Sequence, residues 1–236
     1  MPVEIKICGL STPEALQTCA SEGADMAGFI FFEKSPRNVA PEQAAELAEL
    51  ARGLPHPLRT VAVTVDAEDA MLDAIVAAMK PDFLQLHGRE KPQRIVELKQ
   101  RHGLPVIKAF AVREAADLAA LVPYEGIADR FLLDAKAPAG SDLPGGNGVS
   151  FDWRLLQALD TKTPWMLSGG LDVENIGEAL AVSGATSVDV SSGVEAAPGR
   201  KDIAKIAAFI KTVRDMPPGG RNYNKAAAGQ RRSMVP

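Results

Sequence analysis

The chain has few cysteines and little excess of either charge. Only two of its 236 residues are cysteine, Cys8 and Cys19, and 26 basic residues accompany 30 acidic ones, for a net charge of −4. Two thiols without zinc-ligand spacing predict neither a disulfide framework nor a zinc site. The charge balance also gives no basic surface for nucleic acid or an anionic membrane. We therefore expect a small molecule as the partner.

Long hydrophobic runs are missing as well. No stretch approaches the roughly 20 apolar residues that span a bilayer. Met1 to Leu10 lacks the charged start, apolar stretch and cleavage site of a signal peptide. We therefore expect no membrane span and a cytoplasmic location. A hydrophobic content of 46% with 24% charged residues is typical of one globular domain with a sizeable core.

Short runs rich in Val, Ile, Leu and Phe alternate along the chain with Ala-rich stretches of helical period. This alternation is typical of βα units around a parallel sheet. An open doubly wound sheet would carry a Gly-rich dinucleotide turn after its first strand, and KICGLS is not one. We therefore predict an α/β fold, a single-domain (βα)8 (TIM) barrel over residues 1–215. Its eight predicted strands are Val3 to Ile7, Met26 to Phe32, Arg59 to Val65, Phe83 to His87, Pro105 to Phe110, Arg130 to Asp134, Pro164 to Ser168 and Ser187 to Ser191.

Start and stop signals mark several of the predicted helices. Thr12 and Pro13 resemble a capped start, Pro41 suits a first turn, and Asp172 precedes a predicted helix over Val173 to Val182. Glycines are predicted to end four helices: Gly23, Gly53, Gly103 and Gly184.

Residues 216–236 do not continue the barrel pattern. They contain basic residues, no acidic residue and no apolar period, which predicts a loose C-terminal tail. A basic arm for a partner is the less favoured alternative, because its arginines and its lysine are widely spread.

In such a barrel the active site forms at the carboxyl ends of the strands. Cys8 follows the first strand, where a thiol can act as a base or nucleophile, and Lys6 on the same face could stabilise the thiolate. Asp134 ends an otherwise apolar strand, a position that favours proton transfer. The structural alternatives are a buried, inert thiol for Cys8 and a loop-capping carboxylate for Asp134.

Glycine- and serine-rich turns follow the seventh and eighth strands. Backbone N–H groups in such turns can bind phosphate, which predicts a phosphate site at Gly169, Gly170, Ser191, Ser192 and Gly193. Ordinary loop closure is the alternative. Residues 145–148, GGNG, add a flexible segment that could close over a ligand.

Three further polar residues lie at predicted strand ends. Arg37 offers a fork of donors suited to a carboxylate, although a solvated arginine is the simpler interpretation. His87 is either a hydrogen-bonding wall of the site or a core histidine. Asp189 could orient the phosphate turn or make a structural hydrogen bond.

Seven segments in this order resemble the phosphoribosylanthranilate isomerase family of tryptophan biosynthesis. The resemblance covers nearly all of the chain up to about Arg214, and KICGL, SPR and SSGVE are specific in combination. The segments are KICGL, FFEKSPR, QLHG, FLLDA, LPGGNGVSFDW, LSGGL and VDVSSGVE. Asn147 departs from the threonine or serine expected in this family, which puts only loop detail in doubt.

The resemblance implies an Amadori rearrangement of N-(5-phosphoribosyl)anthranilate without metal or organic cofactor. Asp134 would protonate the furanose ring oxygen, and Cys8 as thiolate would remove the proton from C2. Arg37 would bind the anthranilate carboxylate, and the phosphate would lie against four residues: Gly170, Ser191, Ser192 and Gly193.

Two rival functions are considered. The sister isomerase of histidine biosynthesis resembles a two-aspartate design on a two-phosphate substrate, whereas here the first strand ends in Cys8. A sugar-phosphate-binding barrel without turnover has no use for both an acid and a base. Monomer is the default expectation, because no obvious apolar helix face is left over.

Overall fold

The computed structural model describes residues 2–137, 145–146, 148 and 150–216. Eight parallel strands form a closed barrel in sequence order, and β1 (Glu4–Cys8) pairs with both β2 (Met26–Phe31) and β8 (Ser187–Val190). The predicted (βα)8 barrel is therefore confirmed, with every predicted strand end within two residues of the observed one. The other five barrel strands are β3 (Arg59–Thr64), β4 (Phe83–Leu86), β5 (Val106–Val112), β6 (Arg130–Ala135) and β7 (Trp165–Leu167). Outside the barrel, the short β9 (Glu195–Ala197) pairs with β10 (Arg200–Lys201).

Six α-helices follow strands of the barrel, and their ends agree largely with the local signals. The Thr12 hydroxyl accepts a hydrogen bond from the backbone of Ala15 at the start of α1, and Gly23 ends that helix in the left-handed conformation. The helices are α1 (Pro13–Glu22), α2 (Pro41–Gly53), α3 (Asp69–Met79), α4 (Pro92–His102), α5 (Ile176–Ser183) and α6 (Ile203–Arg214).

Two helix-end predictions need correction. Gly53 is the last residue of α2 rather than its left-handed cap, because Leu54 leaves the helix in an extended conformation. The helix predicted from Val173 begins at Ile176. The Asp172 carboxylate accepts hydrogen bonds from the backbone N–H groups of Glu174 and Asn175, which hold the intervening residues in a turn.

The helical segments after β5 and β6 are 3₁₀ helices, Ala115–Tyr124 and Trp153–Ala158. Pro123 lies in the last turn of the first one, where it lacks the N–H that a continuing α-helix needs. The second is only six residues long. The alternation of strands and helical segments is as predicted, but two of the segments are not α-helical.

The apolar core has two parts. Inward-facing side chains from alternate strand positions, among them Met26, Val61, Ile107 and Met166, fill the barrel. A larger cluster packs the outer face of the strands against the helices. Because the interior is filled by side chains, the site can form only where the strands end.

No helix among the described residues is long and apolar enough to cross a membrane. Residues 217–236, which make up almost all of the predicted loose tail, lie outside the described part of the chain. Asn147 does so too.

Candidate active site

A cavity of about 750 Å³, partly open to solvent, lies at the carboxyl ends of the strands. Nine of the ten predicted site residues line it: Cys8, Arg37, His87, Asp134, Gly169, Gly170, Asp189, Ser191 and Ser192. Gly193 does not line the cavity. It packs behind the turn, where a Cβ atom would overlap the carbonyl of Leu171.

Cys8 is the last residue of β1, and its side chain is buried inside the barrel. Space for the thiol depends on Gly28 of β2, where a Cβ atom would lie 3.1 Å from both the Cys8 Sγ and the Lys6 Nζ. Burial raises the pKa of the Cys8 thiol above its ordinary value, although the positive charge of Lys6 acts in the opposite direction. A cation beside a buried thiol stabilises the thiolate, so the pKa of the thiol is lower than burial alone would make it.

Lys6 lies beneath the cavity floor and forms an ion pair with Asp189, which lines the cavity. Its Nζ donates to Asp189 Oδ1 over 2.7 Å, and both side chains are buried. Burial lowers the pKa of Lys6, but Asp189 and Cys8 outweigh it and raise that pKa above its ordinary value. Lys6 therefore stays charged. Ser168 Oγ donates to Asp189 Oδ2 over 3.3 Å. Asp189 therefore orients Lys6 and Ser168. Among the described residues it accepts no hydrogen bond from a backbone group of the predicted phosphate turns.

Asp134 near the end of β6 is held by neighbours on two sides. Its Oδ1 accepts a hydrogen bond of 2.9 Å from the backbone of Ala135, and its Oδ2 lies 3.3 Å from His87 Nε2. Gly145 covers the pair, because a Cβ atom there would lie 2.5 Å from Asp134 Oδ2 and 2.8 Å from His87 Nε2. His87 is thus a wall of the site.

Gln85 supports His87 from below. Its Nε2 lies 3.1 Å from His87 Nδ1 and, as the amide is oriented here, donates to it. The Nε2 of His87 then carries the proton and points at Asp134. Sequence reasoning missed Gln85, although its position two residues before His87 on the same strand places it on the inward face.

Arg37 is buried at the rim of the cavity, and one edge of its guanidinium is already occupied. Nε donates to Glu195 Oε1 over 2.7 Å and Nη2 to Glu195 Oε2 over 2.9 Å. Nη2 also donates to the carbonyl of Gly146 over 3.3 Å. The alternative of a solvated arginine is wrong, because Arg37 is buried and lines the cavity, and Nη1 is directed toward the loop at Gly146.

The two predicted phosphate turns lie side by side at the mouth. Gly169 and Gly170 follow β7 with φ of 92° and 62°, conformations that glycine adopts without strain. Ser191 directly follows β8, and its hydroxyl donates to the carbonyl of Cys8 over 3.1 Å. The Ser191 turn thus contacts the backbone of β1.

Among the described residues there is no group of three or more His, Cys, Asp and Glu side chains that could hold a metal ion. The buried charged groups at the mouth instead form pairs with one another.

The fold and this cavity define a (βα)8-barrel enzyme that has its site where barrel enzymes build theirs, at the carboxyl ends of the strands. Residues 5–212 match the family model of N-(5'phosphoribosyl)anthranilate (PRA) isomerase, and the chain belongs to that family. The family expected from the sequence motifs is thereby confirmed over the sister isomerase of histidine biosynthesis.

Relatives and solved structures agree with this assignment. An N-(5'-phosphoribosyl)anthranilate isomerase of Sinorhizobium medicae is 60% identical over 214 residues, which cover 91% of this chain and 98% of that protein. One from Agrobacterium fabrum is 58% identical over 219 residues, or 93% and 98% of the two chains. The crystal structure of the Thermotoga maritima enzyme has a TM-score of 0.80 at 35% identity and covers 91% of this chain and 100% of that one.

Proposed function

We propose that this chain converts N-(5-phosphoribosyl)anthranilate into 1-(2-carboxyphenylamino)-1-deoxyribulose 5-phosphate, with Cys8 as general base and Asp134 as general acid. The observation that supports this most strongly is that both groups line one cavity, with Arg37 and the two glycine-rich turns around them. A related structure of 32% identity and TM-score 0.75 was solved in complex with the reduced form of that product.

The proposed reaction needs one acid and one base. Asp134 in its protonated form donates its proton to the furanose ring oxygen, the C1–O bond breaks, and the nitrogen lone pair forms an iminium. The Cys8 thiolate then removes the proton from C2, and the electron pair of that C–H bond neutralises the iminium to give an enolamine. The enolamine tautomerises to the aminoketose. No metal or organic cofactor is required, and the Lys6 charge stabilises the thiolate between turnovers.

His87 and Gln85 are proposed to position the acid rather than to react. The His87 ring, whose Nε2 lies 3.3 Å from Asp134 Oδ2, orients the carboxyl group, and Gln85 fixes which ring nitrogen carries the proton. The Lys6–Asp189 pair serves the base in the same way from the opposite side of the barrel.

The substrate is proposed to lie between Arg37 and the turns. Arg37 binds the anthranilate carboxylate through its free edge, and the phosphate lies against Gly170, Ser191 and Ser192. Gly169 completes the first turn, and Gly193 supports the second turn from behind. The partner is this small phosphorylated molecule, with neither nucleic acid nor membrane, and the enzyme acts in the cytoplasm as a monomer.

Turnover of freshly generated phosphoribosylanthranilate, followed by loss of its fluorescence, tests the proposal. We expect the purified protein to turn it over and Cys8→Ala and Asp134→Ala to lose the activity. Full activity in both variants would show that the assigned acid and base are wrong. A wild-type protein that binds the substrate without converting it would instead favour the binding-only barrel.

A further inference from the structure

The short hairpin β9–β10 leaves the barrel after the phosphate turn and returns two charged side chains to the mouth. Glu195 starts β9 and Lys201 ends β10. Both side chains are at least 95% buried. Such burial is uncommon for these residue types unless they are paired, so their contacts show what the hairpin is for.

Glu195 holds Arg37 in one orientation. Its two carboxylate oxygens accept from Nε and Nη2 of Arg37, a bidentate pair over 2.7 and 2.9 Å. The loop after β2 supplies Arg37, so this pair joins the first quarter of the barrel to its end. The free edge of the guanidinium is thereby turned toward the cavity.

Lys201 connects the same carboxylate to the Ser191 turn. Its Nζ donates to Glu195 Oε1 over 2.9 Å, to the Ser191 carbonyl over 2.8 Å and to the Ser191 hydroxyl over 3.4 Å. All three of its protons therefore have acceptors. One chain of contacts runs from Arg37 through Glu195 and Lys201 to Ser191.

The chain of contacts is not electrically neutral. Two buried cations, Arg37 and Lys201, share the single carboxylate of Glu195. Burial lowers the pKa of Lys201 below its ordinary value, and Glu195 offsets this only in part. Unbalanced buried charge opposes folding, and the Cys8 thiol offsets it only when ionised, so the second cation favours a further anion at the mouth. An anionic ligand between Arg37 and Ser191 would balance it.

We propose that Glu195 and Lys201 are positioning residues that hold the Arg37 guanidinium and the Ser191 turn at a fixed separation, and so select substrates that carry a carboxylate and a phosphate at that span. The inference rests on the proposed function and adds the residues that set the distance between its two anion sites. Neither residue touches the reacting atoms.

Binding of two probes by calorimetry tests the proposal without turnover. The first, the two-headed probe, is reduced 1-(o-carboxyphenylamino)-1-deoxyribulose 5-phosphate, which carries both a carboxylate and a phosphate. The second, ribose 5-phosphate, carries only the phosphate. Glu195→Gln removes the negative charge and one of the acceptors of Arg37. We expect it to weaken the two-headed probe about 10- to 100-fold, the usual effect of a lost charged hydrogen bond. Ribose 5-phosphate should change less than about 3-fold, because Lys201 still contacts Ser191.

Lys201→Met should weaken both probes about 10-fold or more, because it frees the Ser191 turn and removes one hydrogen bond to Glu195 Oε1. Lys201→Arg should restore most of the affinity. The matched control is Lys162→Met, which removes an exposed lysine on the loop that enters β7, at the opposite end of the strands from the cavity. This control should bind both probes like the wild type.

Wild-type affinities in Glu195→Gln and Lys201→Met would overturn the proposal, as would equal losses of both probes in Glu195→Gln. If Glu195→Gln does not fold, the comparison of Lys201→Met with Lys201→Arg tests the proposal instead. If Lys201→Arg does not restore binding of the probes, the proposal is wrong. Failure of the wild type to bind the two-headed probe would instead overturn the proposed function.

Discussion

Cys8 and Cys19 carry the same side chain in two different electrostatic surroundings. Burial in α1 raises the pKa of Cys19 to about 12. Cys8 is also buried and its pKa is also raised, but Lys6 lies beside it. The Cys8 side chain, unlike that of Cys19, lines the cavity. The neighbouring cation and the position at the cavity distinguish the proposed catalytic thiol from one that only packs.

Replacing the two proposed catalytic groups should therefore abolish turnover without unfolding the protein. Cys8→Ala and Asp134→Asn should each lower kcat by about 10²- to 10⁴-fold, the usual contribution of a general base or acid. Steady-state kinetics with circular dichroism as a fold check measures this. Cys19→Ala is the control and should keep wild-type kcat, and a similar loss there would contradict the assignment.

The pH profile should report the Lys6–Cys8 pair. Since the thiolate is the reactive form and burial raises the pKa of the thiol, the rate of alkylation by iodoacetamide should rise with pH. Lys6→Met should move this rise to higher pH by about one to three pH units, because the stabilising cation is lost.

Lys6→Met also leaves the Asp189 carboxylate unpaired. The double variant Lys6→Met/Asp189→Asn removes that charge and should shift the profile in the same direction by less. An unchanged profile in both variants would show that Lys6 does not act on the thiol.

At the scale of the elements, the barrel closes at its amino-terminal end around one carboxylate. Glu4 at the start of β1 accepts hydrogen bonds from Arg59 of β3, Arg130 of β6 and Ser187 of β8. Burial raises the pKa of the Glu4 carboxyl, but the two arginines and the serine outweigh it and hold that pKa below its ordinary value of 4.5. Glu4 thus joins strands from different sides of the barrel.

Glu4→Gln should lower the free energy of unfolding by about 2 kcal/mol at neutral pH, as expected for lost hydrogen bonds to a charged group. Because the folded pKa is depressed, this stabilisation is present above pH 4.5 and disappears as the pH falls through the folded value. Urea unfolding of both proteins from pH 7 to pH 3 measures it.

The activity of Glu4→Gln should stay near wild type, since the cavity lies at the other end of the strands. Glu22→Gln on the exposed face of α1 is the control for stability. A constant difference between wild type and Glu4→Gln down to pH 3 would show that the carboxylate charge is not the cause.

At the scale of the whole molecule, we predict a monomer. Only three large hydrophobic side chains are exposed among the described residues, and they lie on separate segments: Met71, Val122 and Val173. A stable dimer normally needs a contiguous apolar patch. Analytical ultracentrifugation should give the 25.0 kDa of one chain, and twice that mass would contradict the prediction. The Thermotoga maritima enzyme is dimeric, so a monomeric mass here would show that the two relatives differ in oligomeric state.

The sequence by itself determined the eight strands, their order and most of the cavity wall. Parallel strands buried on both faces read as apolar runs, and their last residues must meet at one edge, so Cys8 and Asp134 were found by position alone. The same local rules missed the 3₁₀ helices, the first of which contains Pro123, and the late start of α5, where the Asp172 carboxylate holds the preceding residues in a turn.

Only the tertiary structure decided which groups face one another at the mouth. Arg37 and Glu195 are far apart in the chain, and no periodicity or spacing relates the loop after β2 to a hairpin after β8. Gln85 and Lys201 likewise acquire their roles from the neighbours that barrel closure brings to them. Sequence pattern fixes which way each strand faces, whereas the pairing of buried charges depends on three-dimensional distance, which the pattern does not contain.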